Sequence, residues 1–241
     1  MNYQYHDISK MIDHALLVPT LTTRELEEGC QLALGFDVAS VCIMPYYMAR
    51  CTEILAGTTV MPSTTIGFPH GGQATSIKLA EAQQAIEDGC QELDMVVNIS
   101  QVRSGAWDDV QAEIGRLVDL AHSADRKVKV IFENCYLTDE EKIRLCQISG
   151  EVNADWVKTS TGFGSGGATF EDLRLMRQHT PVHVQVKAAG GIRDMDALLE
   201  ARSMGVTRIG SSRTSEILND CRQRLGLEPL GGTSASSVSG Y

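Results

Sequence analysis

The sequence lacks long hydrophobic runs and has no excess of positive charge. No apolar run approaches the ~18 residues of a membrane-spanning helix, which argues against an integral membrane protein. The 31 acidic side chains outnumber the 21 basic ones, giving a formal charge of −10. This balance argues against a nucleic-acid or anionic-membrane partner. Residues 1–7 contain no basic stretch followed by an apolar core, so no signal peptide is predicted.

The cysteines lack the spacing of a metal site or of a disulfide framework. There are 7 of them, an odd number, and no two form a C-x-x-C pair. The pattern therefore argues against a structural zinc site and against a set of disulfides. Reduced, mostly buried thiols in a cytoplasmic protein are the interpretation that fits this pattern.

Eight short apolar segments alternate with eight helical segments along the chain. The predicted strands cover residues 11–17, 39–43, 63–68, 92–97, 128–133, 156–159, 182–187 and 207–210. Strict alternation predicts a parallel sheet, most simply closed as a single-domain (β/α)₈ TIM barrel. A doubly wound open sheet is the alternative, but it usually carries a glycine-rich turn after the first strand, and residues 17–20 do not form one.

Helix boundaries are marked by local signals. Thr22 with Glu25, and Thr138 with Glu141, have the spacing of capping boxes. The last helix is predicted to open at residues 211–212 and to end near residue 225. The barrel domain is therefore assigned to residues 1–225, and the Gly- and Ser-rich residues 226–241 are predicted to form a flexible tail.

Strand alternation predicts which side chains point into the barrel, because successive residues face opposite sides. The apolar face of each strand should meet the helices, so the polar residues between them should point inward. These polar residues are Asp94, Lys129, Glu133, Lys158 and Lys187. Catalytic groups of this fold lie at the C-terminal ends of strands, where Glu133, Lys158 and Lys187 are predicted to be.

Lys158 ends a short strand and is followed by a loop rich in glycine and hydroxyl residues. A buried lysine is costly unless it is paired or functional, and such loops favour anions. Lys187 ends the neighbouring predicted strand, about 5 Å away. Repulsion between two ammonium groups lowers a lysine pKa, which favours the neutral amine that forms imines. The alternatives are a lysine that only reaches toward solvent, or a barrel interior of compensating ion pairs.

Several short segments in the same order resemble the deoxyribose-phosphate aldolase family, a family of class I aldolases. The resemblance covers nearly the whole chain from residue 12 to residue 241. Its segments are I-D-H at 12–14, G-F-P-H-G at 67–71, E-L-D-M-V at 92–96, V-K-V-I at 128–131, V-K-T-S-T-G at 157–162, V-K-A-A-G-G-I-R at 186–193 and R-I-G-S-S at 208–212. The resemblance implies the same (β/α)₈ barrel.

The resemblance also implies roles for individual residues. Lys158 corresponds to the Schiff-base lysine, and Lys187 to the second lysine that lowers its pKa. Asp94 corresponds to the carboxylate that transfers protons through a water, and Tyr241 to a terminal tyrosine that assists proton transfer at the donor carbon. The residues expected to bind the substrate phosphate are Gly162, Gly190, Gly191, Gly210, Ser211 and Ser212. Those expected to support the catalytic groups are Asp13, Lys129 and Glu133.

The implied reaction is the reversible cleavage of 2-deoxy-D-ribose 5-phosphate to acetaldehyde and D-glyceraldehyde 3-phosphate, a step of deoxyribonucleotide catabolism. It needs no metal and no cofactor, because the protonated imine is the electron sink. The expected partners are phosphorylated sugars and aldehydes, with a homodimer or another homo-oligomer as the assembly. Val18, Met44 and Phe163 depart from residues common in the family, at positions that affect substrate fit.

Two other functions remain open at this point. A different Schiff-base barrel aldolase, or a transaldolase, would use the same lysine with another donor. A non-catalytic protein that binds a phosphorylated sugar would bind without forming an imine.

Overall fold

The computed structural model describes residues 3–231, and eight parallel strands in it form a closed barrel. Each strand pairs with the next along the chain, and the last pairs with the first. The predicted (β/α)₈ TIM barrel is confirmed. In the described residues no helix is both long and apolar enough to cross a bilayer.

The strands and helices alternate as the sequence predicts. Strands β1 to β8 span Ile12–Leu16, Ser40–Ile43, Met61–Ile66, Glu92–Val96, Lys127–Ile131, Trp156–Lys158, Gln185–Ala189 and Val206–Ser211. Helices α1 to α10 span Tyr5–Ser9, Thr23–Phe36, Met48–Leu55, Thr75–Glu87, Ile99–Arg103, Trp107–Ser123, Asp139–Glu151, Phe170–His179, Met195–Ser203 and Thr214–Arg224. The short helices α1 and α5 were not predicted.

Local hydrogen bonds explain where the helices begin. Both capping boxes are present: the Thr22 and Thr138 hydroxyls accept from the backbone N–H groups of Glu25 and Glu141, and both glutamates bond back. The main hydrophobic core lies between the strands and the surrounding helices. Val128 and Val130 of β5 are fully buried in it, while Lys129 between them points into the barrel. The predicted strand parity is confirmed here.

Strand β7 begins later than the sequence predicts. Residues 182–184 form a turn after Pro181, in which the Val184 N–H donates to the Pro181 carbonyl at 3.0 Å. Val182, predicted to lie in the strand, is 94% exposed. The strand continues to Ala189 instead, so Lys187 lies in its middle and not at its end.

Differences at the end of β5 and at the start of α10 also change the position of predicted site residues. Strand β5 ends at Ile131, and Glu133 takes a left-handed backbone (φ 59°) at the start of a 3-10 helix, so the alternation of the strand does not reach it. Helix α10 begins at Thr214, because Ser211 still pairs with β1 and its hydroxyl accepts from the Arg213 N–H at 3.0 Å. Ser212 therefore lies in a loop and does not begin the helix.

The chain after α10 folds back along that helix. Asn219 exchanges two hydrogen bonds with the Leu230 backbone, at 2.8 and 3.1 Å. The predicted tail is described only as far as Gly231, and Tyr241 lies outside the described residues.

Candidate active site

Seven charged side chains form one connected network inside the barrel. Its cations are Lys129, Lys158, Lys187 and Arg208, and its carboxylates are Asp13, Glu92 and Asp94. Six of these side chains are at most 5% exposed, and that of Arg208 is 12% exposed. Burial of this many charges is tolerated only because each is paired.

Asp94, on β4, lies at the centre of the network. Its Oδ1 accepts from Lys129 Nζ at 2.7 Å. Its Oδ2 accepts from Lys158 Nζ at 2.8 Å and from Lys187 Nζ at 2.7 Å. Burial alone would raise the pKa of Asp94, but the three ammonium groups outweigh burial and hold that pKa far below its usual value. Asp94 is therefore ionised and fixes the positions of all three lysines.

A second layer of ion pairs lies deeper in the barrel. Arg208 donates to both carboxylate oxygens of Glu92, at 2.9 and 3.0 Å, and to Asp13 Oδ1 at 2.5 Å. The guanidinium of Arg208 also lies 5.0 Å from the centre of the Trp156 ring. Arg208 thereby fixes the position of Asp13, whose Oδ2 accepts from Lys187 Nζ at 2.5 Å and so connects this layer to the network around Asp94. Glu92 and Arg208 were not among the predicted site residues.

The environments of Lys158 and Lys187 differ although the two residues pair in register on β6 and β7. Burial lowers the pKa of Lys158; Asp94 acts in the opposite direction, and the nearby Lys187 ammonium lowers that pKa further. Burial would also lower the pKa of Lys187, but Asp13 and Asp94 together raise it above its usual value. Lys158 is thus the network lysine with the pKa closest to neutrality. It also bonds one carboxylate where Lys187 bonds two.

A pocket opens above the network at the C-terminal ends of the strands. Lys158, Lys187 and Asp13 line its floor, and Asp94 lies beneath them. All six residues predicted to bind phosphate line the same pocket, namely Gly162, Gly190, Gly191, Gly210, Ser211 and Ser212. Arg193 and Arg213 also line it and were not predicted to bind phosphate, although Arg193 lies two residues after Gly191 and Arg213 directly follows Ser212.

The loops after β6 and β7 pack backbone against backbone beside the pocket. The Ala168 N–H donates to the carbonyls of Ala189 and Gly190 at 3.1 Å. Gly191 has φ +82°, and a Cβ there would lie 2.5 Å from the Ala168 carbonyl oxygen. A side chain at Gly191 would therefore displace the loop in addition to filling the pocket.

The supporting residues fall into two groups. Asp13 and Lys129 belong to the charged network. Glu133 lies beside it, and its carboxylate accepts from the backbone N–H and the hydroxyl of Thr161. Burial raises the pKa of Glu133. Across residues 3–231, no group of three or more His, Cys, Asp or Glu side chains is arranged to hold a metal ion.

Comparison with known proteins adds an independent line of evidence. The family model described as DeoC/LacD family aldolase matches residues 8–212. The chain belongs to this aldolase family. The match includes every predicted site residue except Tyr241.

Individual members of the DeoC/LacD family are similar over nearly the whole chain. A protein from Rhodopirellula baltica named deoxyribose-phosphate aldolase is 63% identical, covering 100% of this chain and 99% of the relative. A protein of the same name from Thermococcus gammatolerans is 44% identical, and the match covers 90% of this chain and 97% of the relative. A solved structure from Aeropyrum pernix, described as a tetrameric deoxyribose phosphate aldolase, has a TM-score of 0.85 at 29% identity and covers 92% of this chain and 93% of its own.

Proposed function

We propose that this member of the DeoC/LacD family is a class I deoxyribose-phosphate aldolase, a lyase that uses Lys158 as its Schiff-base residue. The observation that carries the proposal is the position of Lys158. It is buried on the floor of the pocket, its pKa is lowered, and Asp94 holds its amine at 2.8 Å. A neutral amine presented to a pocket is the requirement for imine formation.

In the proposed reaction, Lys158 Nζ attacks C1 of the open-chain sugar, and loss of water gives a protonated imine. The C3 hydroxyl then loses its proton and the C2–C3 bond breaks, so that its electrons neutralise the imine as an enamine. D-Glyceraldehyde 3-phosphate leaves, C2 is protonated, and hydrolysis releases acetaldehyde. The protonated imine accepts the electrons, so the proposal requires neither a metal nor a cofactor.

Other residues of the site receive supporting roles in this proposal. Lys187 stays charged and keeps the Lys158 amine neutral, while Asp94 orients both lysines and exchanges protons through a water. Asp13 and Lys129 hold this arrangement by their ion pairs. Tyr241, outside the described residues, is proposed to transfer a proton at the donor carbon.

The phosphate is proposed to bind in the loops after β6, β7 and β8. This fold commonly binds phosphate after its seventh and eighth strands. Gly190, Gly191 and Gly210 leave backbone exposed in the pocket wall, and Ser211 and Ser212 add hydroxyls. Arg193 and Arg213 supply positive charge at the same wall. A phosphate there would lie at the opposite end of the sugar from the imine carbon.

A comparison of donors tests the proposed function against the other Schiff-base aldolases. With D-glyceraldehyde 3-phosphate as acceptor, acetaldehyde should give 2-deoxyribose 5-phosphate, whereas dihydroxyacetone and pyruvate should give product at least about a hundredfold more slowly. Lys158→Met is the control and should form no product with any donor. Faster turnover with dihydroxyacetone or pyruvate would assign the chain to a different reaction. Binding without turnover would assign it to a sugar-phosphate binding protein.

We further propose that the protein acts in the cytoplasm as a homo-oligomer, in deoxyribonucleotide catabolism. All seven cysteines are free thiols, which is usual for proteins of a reducing compartment. The Aeropyrum pernix relative is described as a tetramer. Light scattering during size-exclusion chromatography tests the assembly, and a monomer across the working concentrations would contradict it.

A further inference from the structure

Glu133 is a buried carboxylate that makes no ion pair with the charged network among the described residues. It is 2% exposed, and its backbone has the left-handed φ of 59° that most residues avoid. Among the described hydrogen bonds, those of its carboxylate come from Thr161 and from the Cys135 thiol, whereas each network carboxylate bonds lysine or arginine. The hydrogen bonds of Glu133 therefore join it to the loop after β6, and not to the lysines of the network.

Thr161 connects Glu133 to that loop through both of its polar groups. Its backbone N–H donates to Glu133 Oε2 at 3.2 Å, and its hydroxyl donates to the same oxygen. The hydroxyl oxygen in turn accepts from the Phe163 N–H at 3.0 Å. The next turn of the loop packs closely on the same carboxylate, because a Cβ at Gly164 would lie 3.0 Å from Glu133 Cδ. Glu133 thus fixes the backbone that carries Phe163.

Phe163 is held from the other side by an aromatic contact. Its ring meets that of Phe68, in the loop after β3, edge to face, with centroids 5.2 Å apart and planes at 88°. Such edge-to-face pairs are stabilising beyond the burial of their area. Phe163 lines the catalytic pocket together with Lys158, Gly190 and Gly191. An aromatic ring therefore forms part of a pocket wall that also contains the apolar side chains of Leu17, Val18 and Ile192, glycine backbone and two arginines.

We propose that Phe163 determines specificity for the acceptor aldehyde, and that Glu133 and Thr161 are positioning residues that fix its ring against Phe68. The inference rests on the proposed function and deepens it. A sugar joined to Lys158 at one end and bound at the glycine loops by its phosphate must pass along the pocket wall. The C–H groups of its carbon chain are apolar, and the ring of Phe163, fixed in position beside the glycine loops, is an apolar surface they would contact.

Thr161→Val is the decisive substitution, because valine keeps the shape of threonine while it removes the hydroxyl. Thr161→Val and Phe163→Leu should each lower kcat/KM for 2-deoxyribose 5-phosphate roughly tenfold, mainly through KM, as expected when one apolar contact is lost. Thr161→Ser, which keeps the hydroxyl, should restore most of kcat/KM. Borohydride trapping of acetaldehyde on Lys158 should proceed at the parent rate in all three variants, since the imine does not involve the acceptor.

A double-mutant cycle separates positioning from a general loss of stability. In the Phe163→Leu background, Thr161→Val should change kcat/KM less than about twofold, because its effect acts through that ring. An equal loss in both backgrounds would overturn the proposal, and so would slower trapping of acetaldehyde in Thr161→Val. If the parent enzyme traps no acetaldehyde, the proposed function itself fails. Normal trapping with unaltered KM in Phe163→Leu would reject only the role of Phe163.

Discussion

At the scale of single residues, the site depends on two buried lysines that share one carboxylate oxygen and differ in their other partners. Lys158 and Lys187 both donate to Asp94 Oδ2, yet only Lys187 also bonds Asp13. The additional carboxylate stabilises the ammonium form of Lys187, and burial destabilises that of Lys158. One residue is thereby prepared to react and its neighbour to stay charged.

This difference predicts the effect of replacing Lys187. Lys187→Met removes a positive charge next to Lys158 and leaves Asp94 with one fewer cation, and both changes raise the pKa of Lys158. The midpoint of the pH dependence of borohydride trapping with acetaldehyde should therefore move to higher pH. For each unit of movement, the rate near neutral pH should fall about tenfold. Lys187→Arg keeps the charge and should keep the midpoint near that of the parent. An unchanged midpoint in Lys187→Met would remove Lys187 from the control of Lys158.

The sequence predicts most of the charged network and misses a part for identifiable reasons. Asp94 and Lys129 follow from strand parity, because each lies between two buried apolar residues, and Lys158 follows from it because Val157 before it is buried and apolar. Glu92 and Arg208 obey the same parity, since Glu92 lies two residues before Asp94 and Arg208 two residues before Gly210. Their inward direction was therefore predictable from the pattern. Their pairing was not, because it depends on the closure of the barrel.

At the scale of elements, Lys78 joins two helices and two strands. Its fully buried ammonium donates to Glu113 of α6 at 2.7 Å and to the Val96 carbonyl at the end of β4 at 2.8 Å. A Cβ at Gly67, just after β3, would lie 2.8 Å from Lys78 Cε, so this glycine leaves room for the lysine. Sequence patterns gave no signal for this residue, because a lysine on a helix is normally exposed.

The buried pair of Lys78 and Glu113 predicts a large loss of stability from a single substitution. Lys78→Met leaves the carboxylate of Glu113 buried without its cation and should lower the free energy of unfolding by about 3–5 kcal/mol. The double variant Lys78→Met/Glu113→Leu removes the unpaired charge and should recover much of that loss. Denaturant unfolding measures both. A single variant within about 0.5 kcal/mol of the parent, as for ordinary surface positions, would contradict this account of the pair.

At the scale of the whole molecule, alternation of strands and helices was sufficient to predict the barrel, and its closure brings the site together. Lys187 and Asp13 are 174 positions apart, and they meet at 2.5 Å because β8 pairs with β1. The ends of individual strands depend on local backbone geometry, so the alternation of apolar and polar residues did not predict them. Apolar Val182 was predicted as strand where a turn follows Pro181, and the alternation of β5 was extended to Glu133, whose backbone turns away.

The central claim is that Lys158 is the residue that forms the imine, and mass spectrometry tests it most directly. The enzyme is incubated with 2-deoxyribose 5-phosphate and borohydride, and its peptides are then sequenced. The account predicts a reduced adduct on Lys158 in the parent enzyme, with no adduct and no turnover in Lys158→Met. An adduct on Lys129 or Lys187, or continued turnover in Lys158→Met, would contradict it.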